Sequence, residues 1–278
     1  MNKFKGLTAV VTGAASGIGR AIATKAAGEG MNLGLVDMDL PALESFAGEL
    51  EQQGVSVFFQ RVDVTDAQAM QGFANSCFER FNTVGLLFNN AGILRVGGAW
   101  EQSAEDWQTM LSVNVMGVVN GVNAFLPRIL EAGNNAHIVN TGSVGSLVAA
   151  PNMGQYTTCK MAVRGLTECL YLELKMQRMP VNVSLLCPGP VSTNIANALI
   201  GSFLGDDPDP ERLAEVKAAT EAADPNFISP QACADTVFDA IREEKFWIFT
   251  HPLSGHLHKL MQAIVNGENP EYSEVKFD

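Results

Sequence analysis

The sequence predicts an α/β protein built on one doubly wound sheet of seven parallel strands. Short β-branched runs alternate with longer segments of helical period, and each connection has the length of a crossover helix. The runs are apolar on both faces, as expected for a sheet that helices cover on both sides. The predicted strands are Leu7–Thr12, Asn32–Val36, Val55–Arg61, Val84–Phe88, His137–Asn140, Val181–Leu186 and Phe246–Phe249.

Composition supports a globular chain and argues against several classes of protein. Of the 278 residues, 47% are hydrophobic and 17% charged, which excludes a disordered or coiled-coil chain. The net charge of −12 argues against a nucleic-acid-binding protein, which needs a positive surface. No uninterrupted apolar run approaches the roughly 18 residues of a membrane span, and glycines interrupt the first apolar segment. We therefore expect a cytoplasmic protein without a membrane anchor.

The cysteines and histidines give no sign of a disulfide framework or a metal site. The five cysteines are widely spaced without a C-x-x-C pair, so they are interpreted as small core residues. His251, His256 and His258 lie near the chain end, but their spacing does not place them on one helix face. We predict no metal site.

No linker or repeat divides the chain, so residues 1–278 are interpreted as one domain. A long apolar helical segment, Trp107–Leu130, is expected to pack on the sheet and on another surface, such as a second subunit. The longest irregular region, residues 191–229, is interpreted as a substrate lid. Within it, Asp209 and Pro210 could start a helix. The tail, residues 252–278, has one or two amphipathic turns around His258–Val265.

The first predicted strand runs into a glycine-rich turn, TGAASGIG, that precedes a helical pattern. Gly13, Gly17 and Gly19 would let the backbone turn sharply and approach a pyrophosphate. Free N–H groups and the helix dipole would meet the negative charge without a lysine. Such turns also occur for purely steric reasons, but the position between a strand and a helix favours a nucleotide site.

Asp37 ends the second predicted strand. A carboxylate there can accept hydrogen bonds from both hydroxyls of the adenosine ribose and would repel a 2′-phosphate. Neither Met38 nor the glycine turn offers a cation for that phosphate, so NAD is favoured over NADP. The alternative is that Asp37 and Asp39 are turn or N-cap residues before Pro41.

Tyr156 and Lys160 stand four residues apart in a helical segment, so both side chains lie on one face. A free tyrosine keeps its proton to about pH 10, and a nearby ammonium favours the phenolate. The pair alone is weak evidence because chance pairs on helices are common. Ser143 and the Asn89–Gly92 segment add weight because each follows a predicted strand at the carboxyl edge of the sheet, where ligands bind. Asn114, in an apolar helix, is either a structural hydrogen-bonding residue or part of a water relay.

These motifs together resemble the short-chain dehydrogenase/reductase family. The resemblance runs from about Leu7 to about Thr250 and includes TGAASGIG, Asp63-Val64, NNAG, Asn114, Ser143, YTTCK and Pro188-Gly189 in the expected order. It implies a Rossmann fold with strand order 3-2-1-4-5-6-7 and an alcohol dehydrogenase or carbonyl reductase activity. It also implies a homodimer or homotetramer formed through the helices that carry Asn114 and Tyr156.

The family pattern assigns roles to individual positions. Tyr156 would be the general acid/base, Lys160 would lower its pKa and hold the nicotinamide ribose, Ser143 would orient the substrate oxygen, and Asn114 would hold a water that connects Lys160 to solvent. The residues expected to bind the cofactor are Gly13, Ser16, Gly17, Ile18, Gly19, Asp37, Asp63, Val64, Asn90, Gly92, Tyr156, Lys160, Pro188, Gly189, Val191 and Thr193.

The expected substrate walls are almost entirely apolar. We therefore predict a hydrophobic secondary alcohol or ketone as the substrate, with Arg95 as the one nearby charge. The alternative is that several of these residues pack the core or an interface. The substrate-contacting residues predicted are Leu94, Val144, Leu147, Met153, Ile195 and Leu199.

Two other functions stay open at this stage. One is an NADPH-dependent carbonyl reductase, which a comparison of turnover with NAD and NADP would distinguish. The other is a noncatalytic dinucleotide-binding sensor, which would need the glycine turn and Asp37 but not Ser143, Tyr156 and Lys160.

Overall fold

The computed structural model describes residues 4–204 and 209–278, and its seven strands form one parallel sheet. The strand order is β3-β2-β1-β4-β5-β6-β7, which confirms the predicted fold. The strands are β1 (Thr8–Thr12), β2 (Asn32–Asp37), β3 (Val57–Arg61), β4 (Leu86–Asn89), β5 (Ala136–Thr141), β6 (Val181–Cys187) and β7 (Trp247–Phe249).

Four strands begin one or two residues later than predicted: β1, β3, β4 and β7. Val55 shows why, because its N–H donates to the carbonyl of Leu50 in the turn that ends the preceding helix, at 3.1 Å. Its backbone is therefore used by the turn before the ladder of β3 starts. The sequence pattern alone does not distinguish an apolar β-branched residue just before a strand from one inside the strand.

The helices follow the predicted alternation with the strands. Asp209 caps the helix that starts at Pro210, as predicted. The tail forms a longer helix than predicted, α10. The helices are α1 (Gly17–Gly28), α2 (Leu40–Gln52), α3 (Ala67–Phe81), α4 (Ala104–Leu111), α5 (Gly117–Ala132), α6 (Gly154–Met176), α7 (Ala196–Leu204), α8 (Pro210–Ala223), α9 (Pro230–Arg242) and α10 (Ser254–Asn266).

A π-helical turn, Ser112–Met116, joins α4 and α5 into one helical stretch. Within the described ranges, this stretch, Ala104–Ala132, is the one helix whose length and mean hydropathy would suffice to cross a membrane. Half of its most apolar window is buried inside the protein. It therefore has the character of a core helix that packs on the sheet.

Alternate residues of each strand pack into apolar clusters on opposite faces of the sheet. Val11 and Phe88 point to the face covered by α1, α2 and α9, whereas Val10 and Leu87 point to the face covered by α3, α5 and α6. Because all strands are parallel, the carboxyl ends of β1, β4, β5 and β6 meet at one edge. The loops that leave this edge carry the predicted site residues.

Four of the five cysteines are buried, as predicted, and the prediction is wrong for Cys169, which is exposed on α6. Burial raises the pKa of Cys77, Cys187 and Cys233 to about 12. These three thiols are therefore protonated and unreactive at neutral pH.

Candidate active site

The turn between β1 and α1 requires its glycines. Gly13 and Gly17 have φ angles of 65° and 53°, a region that side chains disfavour. A Cβ on Gly13 would lie 2.9 Å from the Cα of Ala91, and a Cβ on Gly19 would overlap the carbonyl oxygen of Gly13. The turn is therefore packed directly against the loop that follows β4.

The start of α1 offers main-chain donors instead of a charged side chain. The Ser16 side chain caps no N–H group, and the first turn has no acidic residue. Arg20 points elsewhere, since it pairs with Glu49 at 2.6 Å and lies over the ring of Phe46. Ile18 packs against the core. The free N–H groups and the helix dipole fit the pyrophosphate of a dinucleotide.

Asp37 is fixed by the backbone around it. One carboxylate oxygen accepts from the N–H of Ala15 at 2.9 Å, and the other accepts from the N–H of Asp39 at 3.0 Å. Each oxygen keeps a further lone-pair position for a ribose hydroxyl. Asp39, by contrast, is the N-cap of α2 and accepts from the N–H of Ala42 at 3.1 Å. The Asp39 carboxylate thus caps α2, whereas the Asp37 carboxylate can still accept from a ligand.

Sequence reasoning missed Arg61, a cation close to Asp37. The two residues face each other in the β2–β3 register, and the Nε of Arg61 donates to the carbonyl of Met38 at 3.1 Å. The charge next to the ribose-binding position is therefore mixed. The register of β2 and β3 places Arg61 beside Asp37, and the sequence alone does not define that register.

Thr12 and Asn90 tie the glycine turn to the loop after β4. The hydroxyl oxygen of Thr12 accepts from the N–H groups of Asn90 and Ala91 at 2.9 and 3.0 Å. In return, the amide nitrogen of Asn90 donates to the carbonyl of Thr12 at 3.1 Å. These bonds hold both walls of the cleft at a fixed separation.

The residues expected at the adenine follow β3 and are held by α5. Asp63 is exposed and accepts from the N–H of Thr65 at 2.9 Å, while Val64 is buried. The side chain of Asn120 donates to the carbonyl of Val64 at 2.8 Å. A Cβ on Gly117 would lie 2.8 Å from the Val64 side chain, so this glycine lets α5 approach the loop.

Asn114 is fully buried inside the π-helical turn, and its amide is used by the main chain. It donates to the carbonyls of Ile93 and Met110, each at 3.1 Å, and accepts from the N–H of Ile93 at 3.1 Å. A Cβ on Gly92 would lie 2.8 Å from the Asn114 oxygen and 3.6 Å from the Lys160 nitrogen. Gly92 thus lets Asn114 and Lys160 face the same small space. Single π-helical turns within α-helices often occur at functional sites.

Ser143 leaves the end of β5 in an extended conformation and caps the short 3₁₀ turn Val144–Ser146. Its hydroxyl oxygen accepts from the N–H of Gly145 at 3.1 Å, and its own N–H donates to the Ser146 hydroxyl at 3.1 Å. The Ser143 hydroxyl also hydrogen-bonds to Tyr156 and opposes the effect of burial on the pKa of Tyr156. The two hydroxyls therefore converge on one point.

Tyr156 and Lys160 lie on the first turns of α6, one helical turn apart. The Lys160 nitrogen lies 5.5 Å from the centroid of the Tyr156 ring and donates to the carbonyl of Thr141 at 2.9 Å. Lys160 is 3% exposed. The ammonium is consequently held between the end of β5 and the phenol.

The electrostatics of the protein alone differ from the expectation that Lys160 lowers the pKa of the phenol. Burial raises the pKa of Tyr156 above its ordinary value, and Ser143 only partly opposes this rise. Burial also lowers the pKa of Lys160 to about 8. The apolar surroundings thus disfavour the charged form of both groups. The spacing in the sequence predicts that Tyr156 and Lys160 are neighbours, but it does not predict the burial that shifts the pKa of each.

The loop after β6 is joined to the site from two sides. The carbonyl of Pro188 accepts from the N–H of Val144 at 3.0 Å, and the N–H of Gly189 donates to the Thr250 hydroxyl at 3.0 Å. Further on, Val191 bridges to Ile228. Thr193 is buried beside Gly17, whose added Cβ would lie 3.1 Å from its methyl group. The predicted lid therefore begins directly over the glycine turn. Its positions 205–208 lie outside the described residues.

Ser143 and Tyr156 line one cavity of about 140 Å³. Val144 and Met153, two predicted substrate residues, also line it. The further lining residues are Gly145, Val148, Ala149, Ala150, Thr157, Tyr272, Ser273 and Val275. Sequence reasoning missed Tyr272, Ser273 and Val275 of the tail, because nothing in their pattern indicates that the chain folds back to the sheet edge.

The other predicted substrate residues are placed differently. Leu147 packs on a small apolar cluster beneath the loop, and Ile195 and Leu199 are 38% and 37% exposed. Leu94 is half-buried after β4, next to Arg95, which forms an ion pair with Asp106. None of these four apolar residues is among the described residues that line the cavity.

The chain is similar to a large group of known enzymes and structures. The family model described as short chain dehydrogenase matches residues 7–201. The CLA biosynthesis dehydrogenase/reductase of Lactiplantibacillus plantarum is 32% identical over 259 residues, which cover 91% of this chain and 90% of that protein. The 1-deoxy-11-beta-hydroxypentalenate dehydrogenase of Streptomyces avermitilis is 31% identical and covers 88% of this chain and 84% of that protein. A short chain dehydrogenase/reductase from Burkholderia phymatum, crystallised in complex with NAD, superposes with a TM-score of 0.88, 40% identity and coverage of 99% of this chain and 100% of that one.

Proposed function

The chain belongs to the short-chain dehydrogenase/reductase family and is an oxidoreductase acting on CH–OH groups, and from this premise we propose that it interconverts a hydrophobic secondary alcohol and its ketone with NAD. The observation that carries the proposal is the convergence of the Ser143 and Tyr156 hydroxyls in a largely apolar cavity at the carboxyl edge of the sheet. This arrangement can hold a carbinol oxygen while apolar walls hold its substituents.

The cleft fits a dinucleotide along its whole length. The N–H groups of the glycine turn would take the pyrophosphate, Asp37 the adenosine ribose, and Asp63 and Val64 the adenine. The loop Pro188–Thr193 would hold the carboxamide end, together with Asn90 and Gly92 on the opposite wall. When bound, NAD would accept the hydride that leaves the carbinol carbon of the substrate.

Ser143 and Tyr156 perform the acid–base part of the reaction. Ser143 donates a hydrogen bond that orients the substrate oxygen, and Tyr156 as phenolate takes the hydroxyl proton during oxidation. In reduction, Tyr156 returns that proton to the carbonyl oxygen. Because burial disfavours the phenolate in the protein alone, the positive charge that lowers its pKa must come from a charged Lys160 and from the oxidised cofactor.

Lys160 and Asn114 would connect the phenol to solvent. Lys160 would hold the nicotinamide ribose, and its ammonium supplies positive charge near the Tyr156 ring. Asn114 faces the same space across Gly92 and would position a water that passes protons from Lys160 to solvent. Its three main-chain bonds keep its amide in one orientation.

We propose NAD as the preferred cofactor because Asp37 would repel a 2′-phosphate. The second candidate function is an NADPH-dependent carbonyl reductase, which Arg61 favours as a cation beside that position. Turnover of one alcohol with NAD and with NADP distinguishes the two. An NADP preference would replace the first proposal with the second.

The lid also stays a proposal. Thr193, near the start of this segment, lies beside the glycine turn, and the segment would close over the nicotinamide end when substrate binds. Hydrogen exchange in residues 192–204 and 209–224 should slow on addition of NAD and substrate. Unchanged exchange would show that the segment is not a lid.

We further propose a homodimer or homotetramer in the cytoplasm. Exposed apolar residues on the π-helical turn and α6, including Met116, Met161 and Leu172, would be covered by a second copy of the chain. All five cysteines are free thiols, which suits a reducing compartment. Sedimentation of the purified protein tests the assembly, and a monomer at micromolar concentration would exclude it.

The proposed reaction is tested with a panel of secondary alcohols and NAD, followed by the absorbance of the reduced cofactor. Tyr156→Phe should lower kcat by about 10²–10⁴-fold, the usual value of a positioned acid/base, without weakening NAD binding. Tyr171→Phe on the same helix is the matched control. Best turnover with small hydrophilic polyols, or full activity of Tyr156→Phe, would overturn the proposal.

A further inference from the structure

The last eleven residues, Glu268–Asp278, return to the active site after α10 without forming a helix or strand. Tyr272, Ser273 and Val275 line the same cavity as Ser143 and Tyr156. Residues 272–275 therefore contribute to the wall of this cavity. We call residues 268–278 the C-terminal strap.

The strap is fastened at its end by Asp278. Its carboxylate accepts from the N–H groups of Ser254 and Gly255 at 2.7 and 3.3 Å and from the Ser254 hydroxyl. Its own N–H donates to the carbonyl of Pro252 at 2.8 Å. The bonds from Ser254 lower the pKa of the Asp278 carboxyl, so the fastening group is ionised at neutral pH. An anion at the start of α10 is also favoured by the helix dipole.

Phe277 provides a second fastening point on the loop after β6. Its ring centroid lies 4.8 Å from that of the buried His251, and a Cβ on Gly189 would lie 3.1 Å from the ring. His251 is itself bonded to the Thr250 hydroxyl and to the carbonyl of Asn226, each at 2.7 Å. Since Asn226 lies in the lid segment, Phe277 packs where the loop Pro188–Thr193 contacts that segment.

Exposure alternates along the last residues of the strap. Val275 and Phe277 are partly buried, whereas Glu274 and Lys276 between them are exposed. Val275 and Phe277 therefore share the protected side of the strap, and Ser273 lines the cavity although its side chain is exposed. Tyr272, 67% exposed, lies at the cavity mouth.

We infer that the C-terminal strap sets the size of the substrate, and that Val275 and Tyr272 are specificity-determining residues. With the strap in place, the cavity measures about 140 Å³. An apolar cavity of about 150 Å³ holds a benzene molecule. The strapped site therefore accepts a carbinol whose larger substituent is about one six-membered ring, and fused-ring substrates require the strap to be displaced. This inference rests on the proposed alcohol oxidation for its substrate class.

The test compares two alcohols with the same reacting carbon, 1-phenylethanol and 1-(2-naphthyl)ethanol, in the full-length protein. Val275→Ala, Tyr272→Ala and the unfastened Phe277→Ala/Asp278→Ala variant should each raise the naphthyl-to-phenyl ratio of kcat/KM by about tenfold, the scale of one or two methylenes in a pocket. Val265→Ala, an exposed valine on α10 away from the cavity, should leave the ratio within about twofold. Ratios that stay at the wild-type value in all three strap variants would overturn the inference.

A second measurement separates the strap from the proposed reaction. If the wild-type protein oxidises neither alcohol with either cofactor, the proposed function fails and the strap is judged by hydrogen exchange. Residues 143–157 should then exchange faster in Phe277→Ala/Asp278→Ala than in the wild type or Val265→Ala, because their cover is released. Equal exchange in the three proteins would show that the strap does not cover the site.

Discussion

The proposed adenosine end of the cleft and the proposed catalytic end are polar for different reasons. At the adenosine end, main-chain N–H groups and the half-exposed Asp37 provide the polarity, and no charge is removed from water. At the catalytic end, Lys160 is withdrawn from water and Tyr156 is partly buried, and burial disfavours the charged form of each. One end therefore binds with groups that also stabilise the fold, whereas the other reacts with groups that the fold tolerates at a cost.

Among the variants that compare the two ends, Ser143→Ala should give the largest effect, and the effect should be confined to the catalytic end. The variant loses the donor that orients the substrate oxygen, so kcat should fall by about 10²–10³-fold, as for the loss of one donor to a reacting oxygen. The dissociation constant of NAD, measured by calorimetry, should change by less than about twofold because the serine is remote from the adenosine end.

Ser146→Ala is the control for this prediction. It removes the hydroxyl that accepts from the N–H of Ser143 but leaves the reacting donor in place. A fall in kcat equal to that of Ser143→Ala would mean that the loop conformation, rather than the Ser143 hydroxyl, is what matters. Loss of NAD affinity in Ser143→Ala would remove the proposed separation of the two ends.

Asp37→Ala/Met38→Arg should act only at the adenosine end. Removing the carboxylate and adding a guanidinium beside Arg61 should shift the ratio of kcat/KM for NADP to that for NAD by about 100-fold toward NADP, equivalent to about 2.7 kcal/mol. The kcat with saturating cofactor should stay near the wild-type value. An unchanged preference would exclude Asp37 from the ribose site.

Removing the charged group should change the free energy of unfolding in opposite directions at the two ends. The pKa of Lys160 falls from 10.5 to about 8 on folding, so its protonation costs about 3 kcal/mol more in the folded state. This penalty is complete below pH 8 and disappears as the pH rises toward 10.5. Lys160→Met removes the penalty but leaves the carbonyl of Thr141 without its donor, which costs about 1 kcal/mol.

Urea unfolding should therefore show Lys160→Met as more stable than the wild type by about 2 kcal/mol at pH 7, with a smaller difference at pH 9.5. Asp37→Ala should be less stable at pH 7 by about 1 kcal/mol because two N–H groups lose their acceptor. Lys175→Met, near the exposed end of α6, controls for the change of side chain. A destabilised Lys160→Met would contradict the account of a charge that the fold tolerates at a cost.

The two ends also differ in how far the sequence predicts them. The glycine turn and Asp37 lie within one β1–α1–β2 unit, so local spacing defines their arrangement, and the strand pattern predicts the edge where Ser143 and Tyr156 meet. Arg61 depends on strand register, which the sequence does not display. The cover of the cavity by Val275 depends on eleven residues that form no helix or strand, and contacts with residues distant in the sequence set their position.

The sequence pattern also does not predict that Lys160 is buried and Tyr156 partly buried. Their spacing on a helix predicts that they are neighbours, but the direction of both pKa shifts comes from the surrounding fold. The π-helical turn is a similar case, because it accompanies the three bonds of the Asn114 amide to main-chain groups around it. Residue identities thus predict the chemistry available, and the packing determines how strongly each group is perturbed.

The most direct test of the central claim is a spectroscopic titration of tyrosinate in the wild type and in Tyr156→Phe, with and without NAD. Without NAD, Tyr156 should ionise above the ordinary value of about 10, because burial raises its pKa. With NAD, one tyrosinate should appear below that value in the wild type and be missing in Tyr156→Phe. Identical titration curves for the two proteins in the presence of NAD would contradict the role of Tyr156 as the general base.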